Sequence, residues 1–218
     1  MSLDDTLITK TEDFLKDAFT RSDAMQRDAA AAAYRIEHSY RVANIGRAIA
    51  QKEGFDETAM VIGCLLHDVA YCRGLITKEE QRGHGRLSAQ MVRPFLEDLK
   101  LSREVVEDIC YGIAIHVDDV ADFEGKRTAF AETISDADNI DRFDAYRLYE
   151  GLLYANFHEM TLVQKRERVE QMLKQLQGLT DYHMATATAE QLWQDRLYFA
   201  ISFYQKLESQ LMSSDQIL

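Results

Sequence analysis

Residues 59–71 read Ala-Met-Val-Ile-Gly-Cys-Leu-Leu-His-Asp-Val-Ala-Tyr, an apolar run that ends in an adjacent histidine and aspartate. Burying either polar side chain without a partner costs roughly 2 kcal/mol or more, so we expect a compensating group beside His67 and Asp68. Imidazole and carboxylate are good ligands for divalent metal ions, and the second carboxylate oxygen of Asp68 stays free to bridge to another ion. The pair is therefore a candidate metal site, although an ordinary helix terminus would also explain it.

The composition is that of a globular protein, with 46% hydrophobic and 28% charged residues among 218. A net charge of −12 and a pI near 4.9 argue against a surface for nucleic-acid polymers, which requires a basic footprint. Small phosphorylated substrates remain compatible with this charge, because a bound metal ion reverses the sign of the local field.

The cysteine pattern predicts a reducing compartment. The chain has three cysteines, an odd number, and none of them belongs to a CxxC pair. We therefore expect free thiols at Cys64, Cys72 and Cys110, and a cytoplasmic location. The acidic start is not followed by an apolar region, and no apolar run approaches the roughly 20 residues that span a bilayer. We therefore expect no signal peptide and no membrane partner.

Apolar residues recur at helical spacing along most of the chain, and no β-alternation of useful length is present. We expect caps at Ser22 and Asp56, a helix stop at Gly54, a loop over residues 73–85, and a helix interrupted or kinked at Pro94. The predicted fold is an all-α, single-domain helical bundle over residues 1–218, with a metal-binding core at about 22–145 and C-terminal helices at about 146–212.

Several polar residues near the ends of different predicted helices, or in adjoining loops, are candidate metal ligands, because a helical bundle can aim such residues at one point. Taken singly, each is also explained as a half-buried helix histidine, a loop residue or a charge at a helix end. Spacing alone leaves open which acid among Asp136, Asp138 and Asp141 is the ligand. The candidates are His38, His67, Asp68, His84, His116 and Asp138.

In chain order these residues form the pattern H…HD…H…H…D, with the last acid inside Asp-Ala-Asp-x-x-Asp. This arrangement resembles the HD superfamily of metal-dependent phosphohydrolases, in its short single-domain bacterial form. The matching segments are the H-x-x-R-V helix at 38–42, the signature helix at 63–69, the histidine segments at 83–89 and 113–116, and the aspartate motif at 135–141.

The resemblance implies one or two divalent ions per chain, drawn from Mn, Fe, Mg, Co, Ni and Zn. The first ion would be held by His38, His67, Asp68 and Asp138. His84 and His116 would hold a second ion with Asp68 as the bridge, or would face the substrate phosphates if one ion binds.

The implied activity is hydrolysis of a phosphoester or phosphoanhydride bond in a small substrate, with a nucleotide preferred because the family so often uses one. A metal-activated water held by Asp68 or a nearby acid would attack phosphorus. Basic residues near the motifs could neutralise phosphate charge, although surface salt bridges are expected for at least two of them. These residues are Arg41, Arg73, Arg86 and Arg142, of which Arg41 and Arg142 join Asp68 in the predicted catalytic set.

Two positions depart from the family pattern. Tyr71 and its neighbours replace the glutamate that mononucleotidase-like members carry after the HD pair, and Asn139 replaces a common basic residue. Two alternatives stay open from the sequence: a di-iron HD-fold oxygenase with the same ligands, and a non-catalytic module that senses a nucleotide. The sequence also leaves open whether the chain forms a homodimer.

Overall fold

The computed structural model describes residues 3–215, and every regular element in that range is helical, which confirms the predicted all-α class. The α-helices of this range are α1 (Asp5–Thr20), α2 (Asp23–Gln26), α3 (Ala29–Glu53), α4 (Glu57–Leu66), α5 (Lys78–Arg82), α6 (His84–Asp98), α7 (Arg103–Ile115), α8 (Ala129–Asp141), α9 (Ala145–Tyr154), α10 (Leu162–Gln177) and α11 (Ala187–Met212). Two 3₁₀ helices cover Val69–Arg73 and Phe157–Glu159.

Helix starts lie where the sequence places capping side chains. Ser22, Asp56 and Ser102 each accept a hydrogen bond from the backbone N–H three residues later, at the beginning of α2, α4 and α7. Such a bond satisfies one of the N–H groups that the first turn of a helix leaves without an internal partner. The caps expected at Ser22 and Asp56 are therefore confirmed.

Gly54 ends α3 in the left-handed conformation, with φ +74° and its N–H donating to the carbonyl of Ala50. A Cβ added there would meet no atom within 4 Å, so only backbone strain opposes a side chain. We expect Gly54→Ala to lower the free energy of unfolding by about 1 kcal/mol, and Gly54→Asn by less.

Urea unfolding of the variants measures this effect, and Gly151→Ala is the matched control. A Cβ at Gly151 also meets open space, but this glycine lies inside α9. Alanine there should raise the free energy of unfolding by about 0.5–1 kcal/mol. Equal stability of Gly54→Ala and the unmodified protein would contradict a strained helix end.

One local prediction was wrong, and another was wrong in part. Residues 73–85 are not one loop, because Thr77 and Glu80 form a capping box that starts α5, and α6 already begins at His84. Helix α6 continues through Pro94 without the expected interruption, and a kink there stays a prediction. Pro94 and Gln90 are exposed, so water can reach the Gln90 carbonyl that lacks the N–H of residue 94.

The described residues divide into two compact units, one ending at Asn139 and the other beginning at Ile140. In the first unit every residue of α4 from Thr58 to Leu66 is buried, and α1, α3 and α7 pack against this helix. In the second unit α10 packs against α11. The single domain expected over residues 1–218 stays a prediction.

Two glycines let α8 approach the centre of the first unit. A Cβ at Gly112 of α7 would lie 2.7 Å from the carbonyl oxygen of Ala131, and one at Gly63 of α4 would lie 2.6 Å from Cδ1 of Ile134. These separations are shorter than real Cβ contacts, so the helices touch through the glycine positions. The close packing brings the C-terminal half of α8 toward the end of α4.

The three cysteines are free, as predicted, and all three are buried. Burial raises the pKa of the Cys110 thiol to about 11, which keeps this side chain a neutral core group at physiological pH. Across residues 3–215, none of the helices combines the length and the apolar character needed to cross a membrane.

Candidate metal centre

All six predicted ligands converge in the first unit. His67 and Asp68 follow the last residue of α4, and the other four lie on separate helices or their ends: His38 in α3, His84 at the start of α6, His116 after α7 and Asp138 in α8. Five of the six are buried, whereas the Asp138 side chain is 25% exposed. The cluster therefore opens toward solvent on the side of Asp138.

The carboxylate of Asp68 divides the histidines into two groups. Its Oδ2 lies 3.6 Å from Nε2 of His38 and 3.7 Å from Nε2 of His67, while its Oδ1 lies 2.8 Å from Nε2 of His84 and 3.5 Å from Nε2 of His116. One buried carboxylate thus serves two sets of nitrogen donors, one set at each oxygen.

Asp138 adds a second carboxylate to the donor group formed by His38, His67 and Oδ2 of Asp68. Its Oδ1 lies 3.1 Å from Nε2 of His38 and 3.7 Å from Nε2 of His67. Three overlapping sets of donor atoms come within 4.8 Å of one another and could each hold a metal ion. These sets are His38, His67 and Asp68; His67, His116 and Asp138; and Asp68, His84 and His116.

Backbone carbonyls orient three of the rings. Nδ1 of His67 donates to the carbonyl of Cys64 (2.7 Å), Nδ1 of His116 to that of Ile113 (2.7 Å), and Nδ1 of His84 to that of Gln81. A carbonyl oxygen only accepts, so Nδ1 carries the proton and a neutral ring keeps its lone pair on Nε2. Each lone pair therefore faces the cluster, the arrangement that metal-binding histidines adopt.

The spacing of these nitrogens calls for a cation. Nε2 of His84 lies 3.0 Å from Nε2 of His116, and Nε2 of His67 lies 3.3 Å from Nε2 of His38. Two lone pairs at 3.0 Å repel each other unless a proton or a metal ion lies beside them. Imidazole nitrogens combined with carboxylate oxygens fit Mn, Fe, Co, Ni or Zn better than Mg, which prefers oxygen ligands. The residues present therefore fit a divalent metal ion.

Both carboxyl groups are ionised at neutral pH. Burial disfavours the charge on Asp68, but a protonated His67, together with hydrogen bonds that His116 and His84 donate when their rings are protonated, holds its pKa well below the ordinary value. At Asp138 partial burial again opposes the charge, and hydrogen bonds that His38 and His67 donate when protonated lower the pKa. Protonated imidazoles or bound metal ions can supply the positive charge that these carboxylates need.

Arg35 also belongs to this centre, and the sequence analysis did not select it. Its Nη1 donates to Oδ2 of Asp68 at 2.8 Å, and its Cζ lies 3.4 Å from the centre of the Tyr71 ring. One sequence signal could have found Arg35: it precedes His38 by three residues, a spacing that places two side chains on one face of a helix.

The four selected arginines have different surroundings. Arg86 pairs with Asp118 at 2.6 Å, the salt bridge that was expected for some of them, and Arg73 is exposed. Arg41 is half-buried on α3. Arg142 lies beyond α8 in the second unit, 5.9 Å from the Phe143 ring. Catalytic roles for Arg41 and Arg142 stay predictions.

Comparison with known proteins identifies the family of this chain. The family model of the HD domain matches residues 35–142, a range that contains all six candidate ligands, and the chain belongs to this family. No curated protein gives a significant match.

Two solved structures share the fold. A predicted HD superfamily hydrolase from an uncultured Thermotogales bacterium is 19% identical, with a TM-score of 0.62 over 93% of this chain and 91% of that one. Bacillus subtilis YpgQ, solved in complex with ADP, is 18% identical, with a TM-score of 0.62 over 97% of this chain and 98% of that one. At these identities the likeness establishes the fold alone.

Proposed function

We propose that this protein is a metal-dependent phosphohydrolase that cleaves a small phosphorylated substrate, preferably a nucleotide. The observation that carries the proposal is the position of the Asp68 carboxylate, which has one oxygen near each of two pairs of imidazole nitrogens. Sites that hold two divalent ions a few ångströms apart are typical of enzymes that displace groups at phosphorus. The complex of the B. subtilis relative with ADP supports a nucleotide as the substrate.

In this proposal His38, His67, Asp68 and Asp138 would hold one ion, and His84 and His116 would hold a second, with Asp68 shared by both. A bound divalent ion supplies a Lewis acid for a phosphoryl oxygen and lowers the pKa of water. The chain contributes preorganisation, since carbonyl groups fix three of the rings before anything binds.

The remaining step concerns the attacking water. Asp138 is the only one of the six candidates that is not buried, so its carboxylate lies where water can enter the cluster. An ionised carboxylate there would accept a hydrogen bond from that water and orient it. A cytoplasmic location belongs to the same proposal, because the reducing cytoplasm keeps thiols such as these three free.

Metal removal and reloading test the activity directly. Protein stripped with a chelator should show no turnover, and reloading with Mn, Co, Ni or Fe(II) should restore it more fully than Mg, because most of the donors are imidazoles. The substrates are a panel of nucleotides and small phosphoesters, with phosphate and pyrophosphate resolved by chromatography.

Binding of metal without turnover of any panel member would contradict the proposal. Oxygen consumption by the Fe(II)-loaded protein would then favour the oxygenase. Tight nucleotide binding without product, under every metal, would instead favour the sensing module.

A further inference from the structure

The Arg35 guanidinium makes two contacts, one through an N–H group with Asp68 and one through its planar face with the Tyr71 ring. One N–H group donates to Oδ2 of Asp68, and the plane of the group lies against the ring of Tyr71. A guanidinium has five N–H donors, and the bond to Asp68 uses one of them. Because the Arg35 side chain is 26% exposed, part of this cation faces solvent beside the candidate metal centre.

Tyr71 is itself well fixed. It lies in the 3₁₀ helix that follows Asp68, where its N–H donates to the Asp68 carbonyl at 3.0 Å. Its ring centre lies 4.7 Å from the ring centre of His84. The phenol ring therefore contacts both Arg35 and His84. His84 and His116, at Oδ1 of Asp68, form the second donor group.

We propose that Arg35 binds the anionic phosphoryl group of the substrate, and that Tyr71 is a positioning residue that holds the guanidinium in place. The inference rests on the proposed function and names the residues that seat its substrate. A planar guanidinium binds phosphate oxygens with two parallel N–H groups, and stacking on an aromatic ring leaves its edges free for this. Prior orientation reduces the conformational entropy that Arg35 loses when an anion binds.

Binding of inorganic phosphate to the Mn-reloaded protein, measured by calorimetry, tests the role of Arg35. Arg35→Gln should weaken phosphate binding about tenfold to a hundredfold. Titration with Mn alone should show unchanged or tighter binding of the metal, because the lost charge lies beside Asp68 and repels a cation. A merely structural role would weaken the binding of metal and phosphate together.

Arg47→Gln is the matched control. Arg47 lies on the same helix, and it pairs with Glu57 at 3.2 Å rather than with a candidate ligand. This variant should bind phosphate and Mn like the unmodified protein. Unchanged phosphate binding in Arg35→Gln would overturn the proposed contact. Phosphate binding that depends on Arg35 in a protein that turns over no substrate would retain the contact and reject the proposed function.

Two substitutions separate the ring of Tyr71 from its hydroxyl. Tyr71→Phe keeps the stacked ring and should bind phosphate within about twofold of the unmodified protein, whereas Tyr71→Leu should bind about three- to tenfold more weakly. With a turned-over substrate, Tyr71→Leu should raise KM more than it lowers kcat. Phosphate binding by Tyr71→Leu at the unmodified level would show that Tyr71 does not position Arg35.

Discussion

Asp68→Ala is expected to reduce metal-dependent turnover by about a thousandfold or more while leaving the helical content unchanged. Asp68 is the one candidate ligand with an oxygen at each donor group, so its loss would affect both of the proposed metal ions at once. Charge stabilisation by a catalytic metal ion is worth several kcal/mol, and each 1.36 kcal/mol corresponds to about a tenfold change in rate. The helices should persist because Asp68 follows α4 and provides no side-chain cap to the next element.

Three measurements on Asp68→Ala check this expectation: turnover with each metal, metal content after desalting, and far-ultraviolet circular dichroism. Asp98→Ala is the control, since Asp98 is an exposed carboxylate at the end of α6. The control should keep full turnover and the full metal content. Turnover of Asp68→Ala at the level of the control would remove the basis for the proposed function.

Helix boundaries could be predicted because their signals are local. The side chain of Asp56 and the N–H that it caps are three residues apart, and Gly54 stops α3 through its own backbone conformation. The same kind of signal was present but overlooked at Thr77 and Glu80, which form the capping box of α5. The three glycines of residues 73–85 favour a loop, but the capping box is enough to start a short helix between them.

The centre could be predicted only as a set of residues. The order of the six candidates along the chain marks them as a group, but the division of Asp68 between two donor groups depends on how α3, α6 and α7 pack. The pairing of Arg35 with Asp68 joins residues 33 positions apart and follows from the packing of α3 against α4. The spacing of Arg35 and His38 places Arg35 on the face of a candidate ligand, but neither its pairing with Asp68 nor the position of Asp68 between two donor groups has a short-range signature in the sequence.

Gly85 shows how a residue type can be misinterpreted without the structure. As one of three glycines in residues 73–85 it indicates a loop, yet it lies in the first turn of α6 against the end of α7. A Cβ there would lie 2.8 Å from the carbonyl oxygens of Ile113 and Ala114, and 3.0 Å from Nδ1 of His116. Two of these atoms belong to the backbone of a buried helix, so they cannot move aside cheaply.

Gly85→Ala should therefore lower both stability and metal binding. Relief of the clash requires α6 to move away from α7, which separates His84 from His116, and overpacking of this kind costs about 1–3 kcal/mol in the free energy of unfolding. Metal ligands tolerate little displacement, so we expect the affinity of the His84–His116 group for Mn to fall about tenfold or more. Urea unfolding of the metal-free protein and calorimetric titration with Mn measure the two effects separately.

Gly83→Ala is the matched control for this substitution. Gly83 also adjoins His84, but a Cβ there would come no closer than 3.4 Å to the carbonyl oxygen of Glu79, an ordinary contact. The control should therefore match the unmodified protein in metal binding and lie within about 0.5 kcal/mol of it in stability. If Gly85→Ala behaved like Gly83→Ala in both measurements, close contact between α6 and α7 would not be what brings the two histidines together. A loss of metal affinity in Gly85→Ala alone would tie the second donor group to this one helix contact.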